Sequence, residues 1–167
     1  TVTARPLKDR TYTANWKENS YTIVFNVEGE VTRGEMKNIP LRYTQETTIP
    51  ENGYVCGGYK FVGWRTGGKK SEQKVYQPGD KVSRLCATNN GTVTLYPIWE
   101  PCEYTITFDY QTGNKREKVT CKYKETYTFP TVNRLGWTFE GWSRSAGSTN
   151  VISYAPNVKT AVFEDEK

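Results

Sequence analysis

The stretch that decides the fold is a seven-residue phrase that the chain carries twice, as Gly58-Tyr59-Lys60-Phe61-Val62-Gly63-Trp64 and as Gly136-Trp137-Thr138-Phe139-Glu140-Gly141-Trp142. Side chains alternate along a strand, so the first aromatic residue and the Phe of each copy face the same side. The inner glycine, Gly63 or Gly141, stands beside the Trp and indicates a bulge or a close backbone approach. Each copy therefore predicts the core strand of one small β unit.

A longer repeat surrounds this phrase. Trp16 and Trp99 lie 83 residues apart, and each precedes a Tyr by five residues. In a chain of 167 residues such a repeat predicts units of about 80 residues. We predict the tail strand of a preceding repeat at 1–19, a first unit at 20–101 and a second unit at 102–167. The start at Thr1, without a Met, predicts an excised fragment.

Within each unit the residue pattern predicts a β-hairpin. Tyr21, Ile23 and Phe25 alternate with polar residues, and Tyr104, Ile106 and Phe108 repeat this pattern in the second unit. A returning strand follows in both units, with Leu41 and Cys121 at matched inward positions. The predicted fold class is mainly β, α+β at most, with short helical turns, one of them at 82–85.

The last strand of the first unit, Thr92 to Trp99, contains Pro97, which predicts an edge strand or a bulge. The second unit has no copy of this strand before Lys167. Either the unit closes without it, or residues 10–16 supply an equivalent strand, in cis to the first unit or in a neighbouring molecule. We expect residues 10–16 to pack near the start of the first unit.

Composition excludes several classes of function. The chain has no His, which removes the commonest general base and metal ligand at neutral pH. Its net charge of +5 is mild and not gathered into a basic stripe, so a nucleic-acid partner is not expected. No stretch is long and apolar enough for membrane insertion. We expect no catalytic residues, no cofactor, no metal and no enzyme activity.

Three motifs in fixed order resemble the Listeria–Bacteroides repeat family. They are a start like Tyr-Thr-Ile-x-Phe at 21–25, the phrase at 58–64, and an end like Thr-Leu-Tyr-x-Ile-Trp at 94–99. The resemblance covers nearly the whole chain and implies tandem small β-grasp (ubiquitin-like) units in a secreted or wall-anchored bacterial surface protein. It implies a stalk or adhesion module and carries no catalytic residues. The chain departs from the family in its four cysteines and in long insertions near 29–38 and 66–74.

Candidate site residues divide into structural and exposed groups. Trp64 and Trp142 recur at one position of the repeat, and Trp16 and Trp99 recur at another. This recurrence favours a core role for the four tryptophans, and Phe61 and Phe139 are assigned to the core with them. Cys121 is expected to be a buried thiol, whereas Cys56 and Cys86 fall in loops of the first unit and form a candidate disulfide. The candidates for ligand contact are Lys69, Lys70, Lys74, Tyr54 and Trp137.

Two functional hypotheses remain after these exclusions. The first is a structural module that spaces a functional domain away from the bacterial surface. The second is a binding module for a host or cell-wall glycan or a host surface protein, including an accessory module of a secreted enzyme or adhesin. Exposed aromatic or basic patches would favour the second hypothesis. Both place the chain outside the cell, next to neighbouring repeats of its parent chain.

Overall fold

The computed structural model describes residues 11–28, 33–67 and 70–144, and the backbone of a strand at 159–161. These residues are mainly β, which confirms the predicted fold class; the β-grasp assignment stays a prediction. A 3-10 turn occupies Lys70–Glu72. The strands are β1 Ser20–Phe25, β2 Ile39–Arg42, β3 Thr47–Thr48, β4 Tyr59–Thr66, β5 Val75–Tyr76, β6 Lys81–Val82, β7 Gly91–Pro101, β8 Glu103–Asp109, β9 Arg116–Lys122, β10 Thr126–Thr128 and β11 Lys159–Ala161.

The first unit is built on a five-stranded sheet in the order β2-β1-β7-β4-β5. The β1–β2 hairpin is antiparallel, as predicted, and Tyr21 lies opposite Leu41. The β1–β7 pair is parallel, with Phe25 opposite Leu95. Strand β4 lies antiparallel to β7 on its other side. The last strand of the unit therefore lies in the middle of the sheet.

This placement corrects the prediction that Pro97 marks an edge strand, because β7 is paired on both sides. The carbonyl of Leu95 accepts a hydrogen bond from the N–H of Asn26, so it faces β1. Backbone groups two residues apart face the same side of a strand, and Pro97 therefore also faces β1. The β1–β7 pairing has already ended there, at Phe25–Leu95. A central strand accommodates the missing N–H at that point.

The predicted bulge is present in β4. The pairing of β4 with β7 shifts register between Phe61 and Gly63, and Gly63 has a φ of 151°. The side-chain amide of Gln77 donates to the carbonyl of Val62, the extra residue, at 3.1 Å. Trp64, which follows Gly63 directly after the bulge, points completely into the interior.

The core of the first unit surrounds Trp64, which is 0% exposed. Its ring meets the edges of Phe25 and Phe61, with centroids at 4.8 Å and 5.1 Å. Its indole Nε1 donates to the carbonyl of Pro50 at 3.2 Å. The other buried side chains are those of Tyr21, Ile23, Phe25, Leu41, Ile49, Val82 and Leu95. Alternation along β1 and β2 thus produces the expected inward face.

The second unit repeats part of this arrangement. Strands β8 and β9 form the predicted hairpin, and β10 pairs with β11 as β3 pairs with β6. Phe108 and Cys121 are buried. Trp142 is half-buried, and its Nε1 donates to the carbonyl of Pro130 at 3.0 Å, as Trp64 does to Pro50. The structural roles predicted for Trp142 and Phe139 agree with their ring contact at 5.6 Å.

Unlike its first copy, the second phrase at 136–142 is not a strand. The first phrase forms its ladder with β7. In the second phrase Trp137 instead forms a single bridge with Arg134, which closes a tight turn. The prediction of a core strand is therefore wrong for the second copy.

The prediction for the tail at 1–19 is also wrong over its described part. Residues 11–19 form no strand, Trp16 is 92% exposed, and the described hydrogen bonds to the first unit start at Glu18 and Asn19. Trp99 is covered by Phe61, at 5.8 Å, from a strand 38 residues earlier. Trp16 shares the repeat phase of Trp99, but this phase does not bury it.

The expected helical turn at 82–85 is absent. Val82 ends β6, and Arg84 has a φ of 56°, which a right-handed helical turn does not allow. The N–H of Arg84 instead donates to the carbonyl of Tyr43 at 2.9 Å. This bond ties the loop to the hairpin of the first unit.

Candidate interaction surfaces

The predicted basic loop is exposed where it is described. Lys69 lies outside the described residues, whereas Lys70 begins the 3-10 turn and Lys74 follows it. The backbone N–H of Lys74 donates to the Thr66 hydroxyl, and the N–H of Thr66 donates to the carbonyl of Lys74, both at 2.9 Å. The loop is thus closed at its base by Thr66, with Glu72 between the two exposed lysines.

Tyr54, a candidate for ligand contact, lies against the core, and its role as a ligand contact stays a prediction. Its ring is half-buried against Trp64, with centroids 6.2 Å apart, and its hydroxyl donates to the carbonyl of Phe25 at 3.2 Å. Burial raises the pKa of the Tyr54 hydroxyl. Tyr54 thus flanks the core, and the side chain of Asn52 is hydrogen-bonded to the backbone N–H and carbonyl of Tyr54.

Trp137, by contrast, is exposed as predicted, at 68%. It ends a tight turn at 134–137 in which its N–H donates to the carbonyl of Arg134 at 3.0 Å. Gly136 provides the positive φ of 79°, Leu135 is fully exposed, and the guanidinium of Arg134 lies 4.6 Å from the centre of the Trp137 ring. Sequence reasoning missed Arg134 and Leu135, although an apolar residue before a turn glycine is an available signal. We call residues 134–137 the second turn.

The equivalent residues of the first unit form a matching turn, 56–59, which we call the first turn. The N–H of Tyr59 donates to the carbonyl of Cys56 at 3.1 Å, and Gly58 has a φ of 73°. Here the turn is covered by the second unit. The ring of Tyr123 meets that of Tyr59 at 5.2 Å, and a Cβ on Gly58 would lie 2.4 Å from the Tyr123 ring. Only glycine leaves room for this contact.

Backbone hydrogen bonds complete the junction between the two units. The N–H of Cys102 donates to the carbonyl of Gly58 at 2.8 Å, and the N–H of Tyr123 donates to the carbonyl of Cys102 at 2.9 Å. Cys102 is the single residue between β7 and β8. The connection is therefore held from both sides. Nothing in the sequence indicated that Tyr123 and Gly58 close this connection.

The candidate disulfide between Cys56 and Cys86 is wrong on geometry. Cys56 lies near the end of β7, because Tyr59 of the same turn pairs with Pro101. The sulfur of Cys86 lies at the beginning of β7, 2.5 Å from where a Cβ on Gly91 would be. The 11 residues of β7 span about 33 Å, against a Cα separation of about 7 Å that a disulfide tolerates. All four cysteines are thiols.

Charged groups lie at strand ends and pair locally. Hydrogen bonds from the Thr44 hydroxyl and N–H hold the pKa of the Glu18 carboxyl below its usual value. The N–H of Gln111, followed by the guanidinium of Arg116, does the same for the pKa of Asp109. Burial, followed by the charge of Glu125, raises the pKa of the Cys121 thiol. These shifts accompany hairpin and turn contacts and do not converge on one cleft.

A shallow groove of about 330 Å³ lies on the β1–β2 hairpin and is lined by residues such as Tyr21, Pro40 and Asn90. Within the described ranges no group of three or more acidic or cysteine side chains is placed to hold a metal ion. None of the helical segments described is long and apolar enough to span a membrane.

Two similar β units that are joined by a short, hydrogen-bonded connection define a tandem-repeat protein. The model of the Listeria-Bacteroides repeat domain matches residues 21–97 and 104–162, and the chain belongs to this family. The family is typical of bacterial surface proteins, and the chain is a repeat module of that type.

Two relatives come from Evansella cellulosilytica. One, named "Putative Gly-rich membrane protein", is 28% identical over 93% of this chain and 19% of its own length. The other, named "Putative membrane protein", is 27% identical over 77% of this chain and 18% of its own length. The chain thus spans about a fifth of these relatives. No solved structure matches.

Proposed function

We propose that the chain is a non-catalytic tandem-repeat region of an extracellular, bacterial cell-surface or secreted protein, where it acts as a stalk or spacer and as an adhesion module. The observation that carries the spacer role is the junction. A linker of one residue, Cys102, is hydrogen-bonded to the first unit at Gly58 and to the second at Tyr123. A linker held in this way keeps two units at a fixed separation and angle, whereas a flexible linker would let them collapse together.

Small-angle X-ray scattering tests the spacer role directly. Tyr123→Ala removes the ring that covers Tyr59 and Gly58, and Tyr43→Ala removes the positional equivalent in the first unit, which lies away from the junction. In dilute solution we expect Tyr123→Ala to broaden the distribution of inter-unit distances while Tyr43→Ala leaves it unchanged. A wild-type chain whose scattering already requires many inter-unit angles would contradict the spacer role.

The adhesion role rests on two exposed features. The first is the second turn, where Leu135 and Trp137 present apolar surface to solvent. The second is the loop with the exposed Lys70 and Lys74. Aromatic faces stack on sugar rings, and lysines attract sulfated or acidic polymers. The partners that fit are a host or cell-wall glycan or a host surface protein, with neighbouring repeats in the parent chain, and neither nucleic acid nor membrane insertion.

An alternative function, that of a glycan- or host-protein-binding accessory module of a secreted enzyme or adhesin, is favoured by the second turn in particular. Binding to host and bacterial-wall glycans at two salt concentrations separates the contributions. One variant changes Lys69, Lys70 and Lys74 to Ala, and a control variant changes Lys17, Lys37 and Lys118 to Ala. Salt-sensitive binding that the first variant loses and the control keeps would establish a charged adhesive loop. Salt-insensitive binding lost on Trp137→Ala would establish the aromatic turn. Absence of binding to every glycan would refute the glycan-binding role.

A further inference from the structure

The second turn differs from the first turn in the size and charge of its residues. The first turn reads Cys-Gly-Gly-Tyr, whereas the second reads Arg-Leu-Gly-Trp. All four residues of the first turn are half-buried, and the ring of Tyr123 from the second unit lies on Gly58. All four residues of the second turn are exposed. Two similar backbone turns thus present different surfaces, and the second directs large apolar and charged side chains to solvent.

The second turn holds these side chains in a fixed arrangement. The hydrogen bond from the N–H of Trp137 to the carbonyl of Arg134, with Gly136 at a positive φ, closes the turn. The guanidinium of Arg134 lies over one face of the Trp137 ring, 4.6 Å from its centre. Trp137 is nevertheless 68% exposed, so its other face is open, and Leu135 is fully exposed. A preorganised surface of this kind loses less conformational entropy when it binds a ligand.

The charge of the second turn is positive and is not compensated within the described ranges. Arg134 takes part in none of the ion pairs that these ranges contain. The sequence has no acidic residue between Glu125 and Glu140. A guanidinium presents a planar fork of N–H donors that matches a carboxylate bidentately. A ligand of the second turn should therefore carry a carboxylate.

The two apolar side chains restrict the ligand further. The open face of Trp137 can pack against the C–H face of a sugar ring. Leu135 then needs a second apolar group beside that ring, and the methyl of an N-acetyl group is one that sugars offer. Exposed apolar side chains rimmed by polar ones mark binding surfaces, and an extended polymer can lie across a protruding turn.

We propose that the second turn binds a glycan whose neighbouring sugars carry a carboxylate and an N-acetyl group. Trp137 stacks on a sugar ring, Arg134 pairs with the carboxylate, and Leu135 contacts the N-acetyl methyl. This ligand class rests on the adhesion role proposed above and makes it specific. It assigns the binding to the second turn and not to the loop with Lys70 and Lys74.

Three oligosaccharides of equal length separate these contacts. A hyaluronan hexasaccharide alternates glucuronate with N-acetylglucosamine, a chitin hexasaccharide has N-acetyl groups without charge, and hexagalacturonate has carboxylates without N-acetyl groups. Isothermal titration calorimetry of the full chain measures the three dissociation constants. We expect hyaluronan to bind about tenfold more tightly than chitin, because chitin lacks the charged hydrogen bond. It should bind about fourfold more tightly than hexagalacturonate, which lacks the methyl.

Single substitutions assign each contact to a residue. Arg134→Ala should weaken hyaluronan binding about tenfold and leave chitin binding unchanged, and Arg134→Lys should be intermediate because it keeps the charge without the fork. Leu135→Ala should weaken binding of hyaluronan and chitin but not of hexagalacturonate, and Trp137→Ala should weaken all three. Lys118→Ala removes the same charge from an exposed site on β9 and should bind as the wild type does. The indole N–H signal of the buried Trp64 in an NMR spectrum reports that each variant is folded.

Four results would overturn the proposed ligand class. Equal binding of hyaluronan and chitin would make the second turn a platform for neutral sugars, so the adhesion role would stand without the carboxylate. Equal losses from Arg134→Ala and Lys118→Ala would assign the binding to general charge attraction. Binding of the second turn to phosphatidylglycerol vesicles, without binding of any of the three oligosaccharides, would make its ligand a lipid surface. If neither vesicles nor oligosaccharides bind, the ligand class is wrong, whereas the adhesion role fails only if the wider glycan panel is also negative.

Discussion

Replacing Trp64 with Phe should destabilise the first unit by about 2–4 kcal/mol. The substitution removes the indole Nε1 donor, so the carbonyl of Pro50 loses its hydrogen bond. Leaving this acceptor without a partner costs about 1–3 kcal/mol of stability. It also removes roughly 40 Å² of buried apolar surface, which contributes about 1 kcal/mol. A unit of about 80 residues has a free energy of unfolding of about 4–12 kcal/mol, so most of the molecules should stay folded in water.

Trp142→Phe is the matched control in the second unit. Trp142 makes the same kind of bond, to Pro130, but is half-buried, so water can replace part of what is lost. We expect Trp142→Phe to lower the free energy of unfolding of the second unit by about half as much as Trp64→Phe lowers that of the first. Urea titration followed by amide signals in a two-dimensional NMR spectrum measures both units in one sample, with Ile23 and Phe108 as reporters of the first and second unit. A loss below about 1 kcal/mol for Trp64→Phe, or an equal loss for Trp142→Phe, would refute the reasoning.

Three further predictions follow from the same structure. Tyr21 is 1% exposed, and its hydroxyl has no hydrogen-bond partner among the described residues. Tyr21→Phe should therefore raise the free energy of unfolding by about 1 kcal/mol in a urea titration. A decrease in the free energy of unfolding would show that the hydroxyl is hydrogen-bonded. Because the pKa of the Cys121 thiol is raised in the folded chain, its contribution to stability is complete at neutral pH and declines as the pH rises above about 9. Cys121→Val should remove that alkaline decline, and iodoacetamide should modify Cys121 more slowly than Cys102; an unchanged decline would assign it to other groups. Gly58→Ala and Gly136→Ala should each cost about 1 kcal/mol through their positive φ, but only Gly58→Ala should also displace the ring of Tyr123, which NMR chemical shifts of that ring would report.

The sequence predicted those features that local periodicity determines. Alternation at Tyr21, Ile23 and Phe25 predicted the hairpin, and the glycine before Trp64 predicted the bulge in β4. The burial of Cys121 followed from its alignment with Leu41, since equivalent positions of two repeats share one inward face.

Features that depend on long-range pairing were not predictable in this way. Pro97 favoured an edge strand, because the composition of β7 does not reveal that β1 ends before reaching it. Tyr54 was expected to be exposed. Its contact with Trp64 depends on the path of a loop, which the spacing of residues in the sequence does not predict. Trp16 shares the phase of Trp99 but not its neighbours, and repetition alone does not supply a covering residue.

The parallel pairing of β1 with β7 determines how a repeat bears tension. The chain enters the first unit at Ser20 and leaves it at Pro101, and these ends lie at opposite ends of the parallel pair. A pull on both ends slides β1 and β7 along each other, so their hydrogen bonds share the load and must break together. Pulling a hairpin from its open end would instead break such bonds one after another. A chain anchored at one end and attached to a surface at the other is loaded in this shearing direction, in which the sheet gives the greatest resistance.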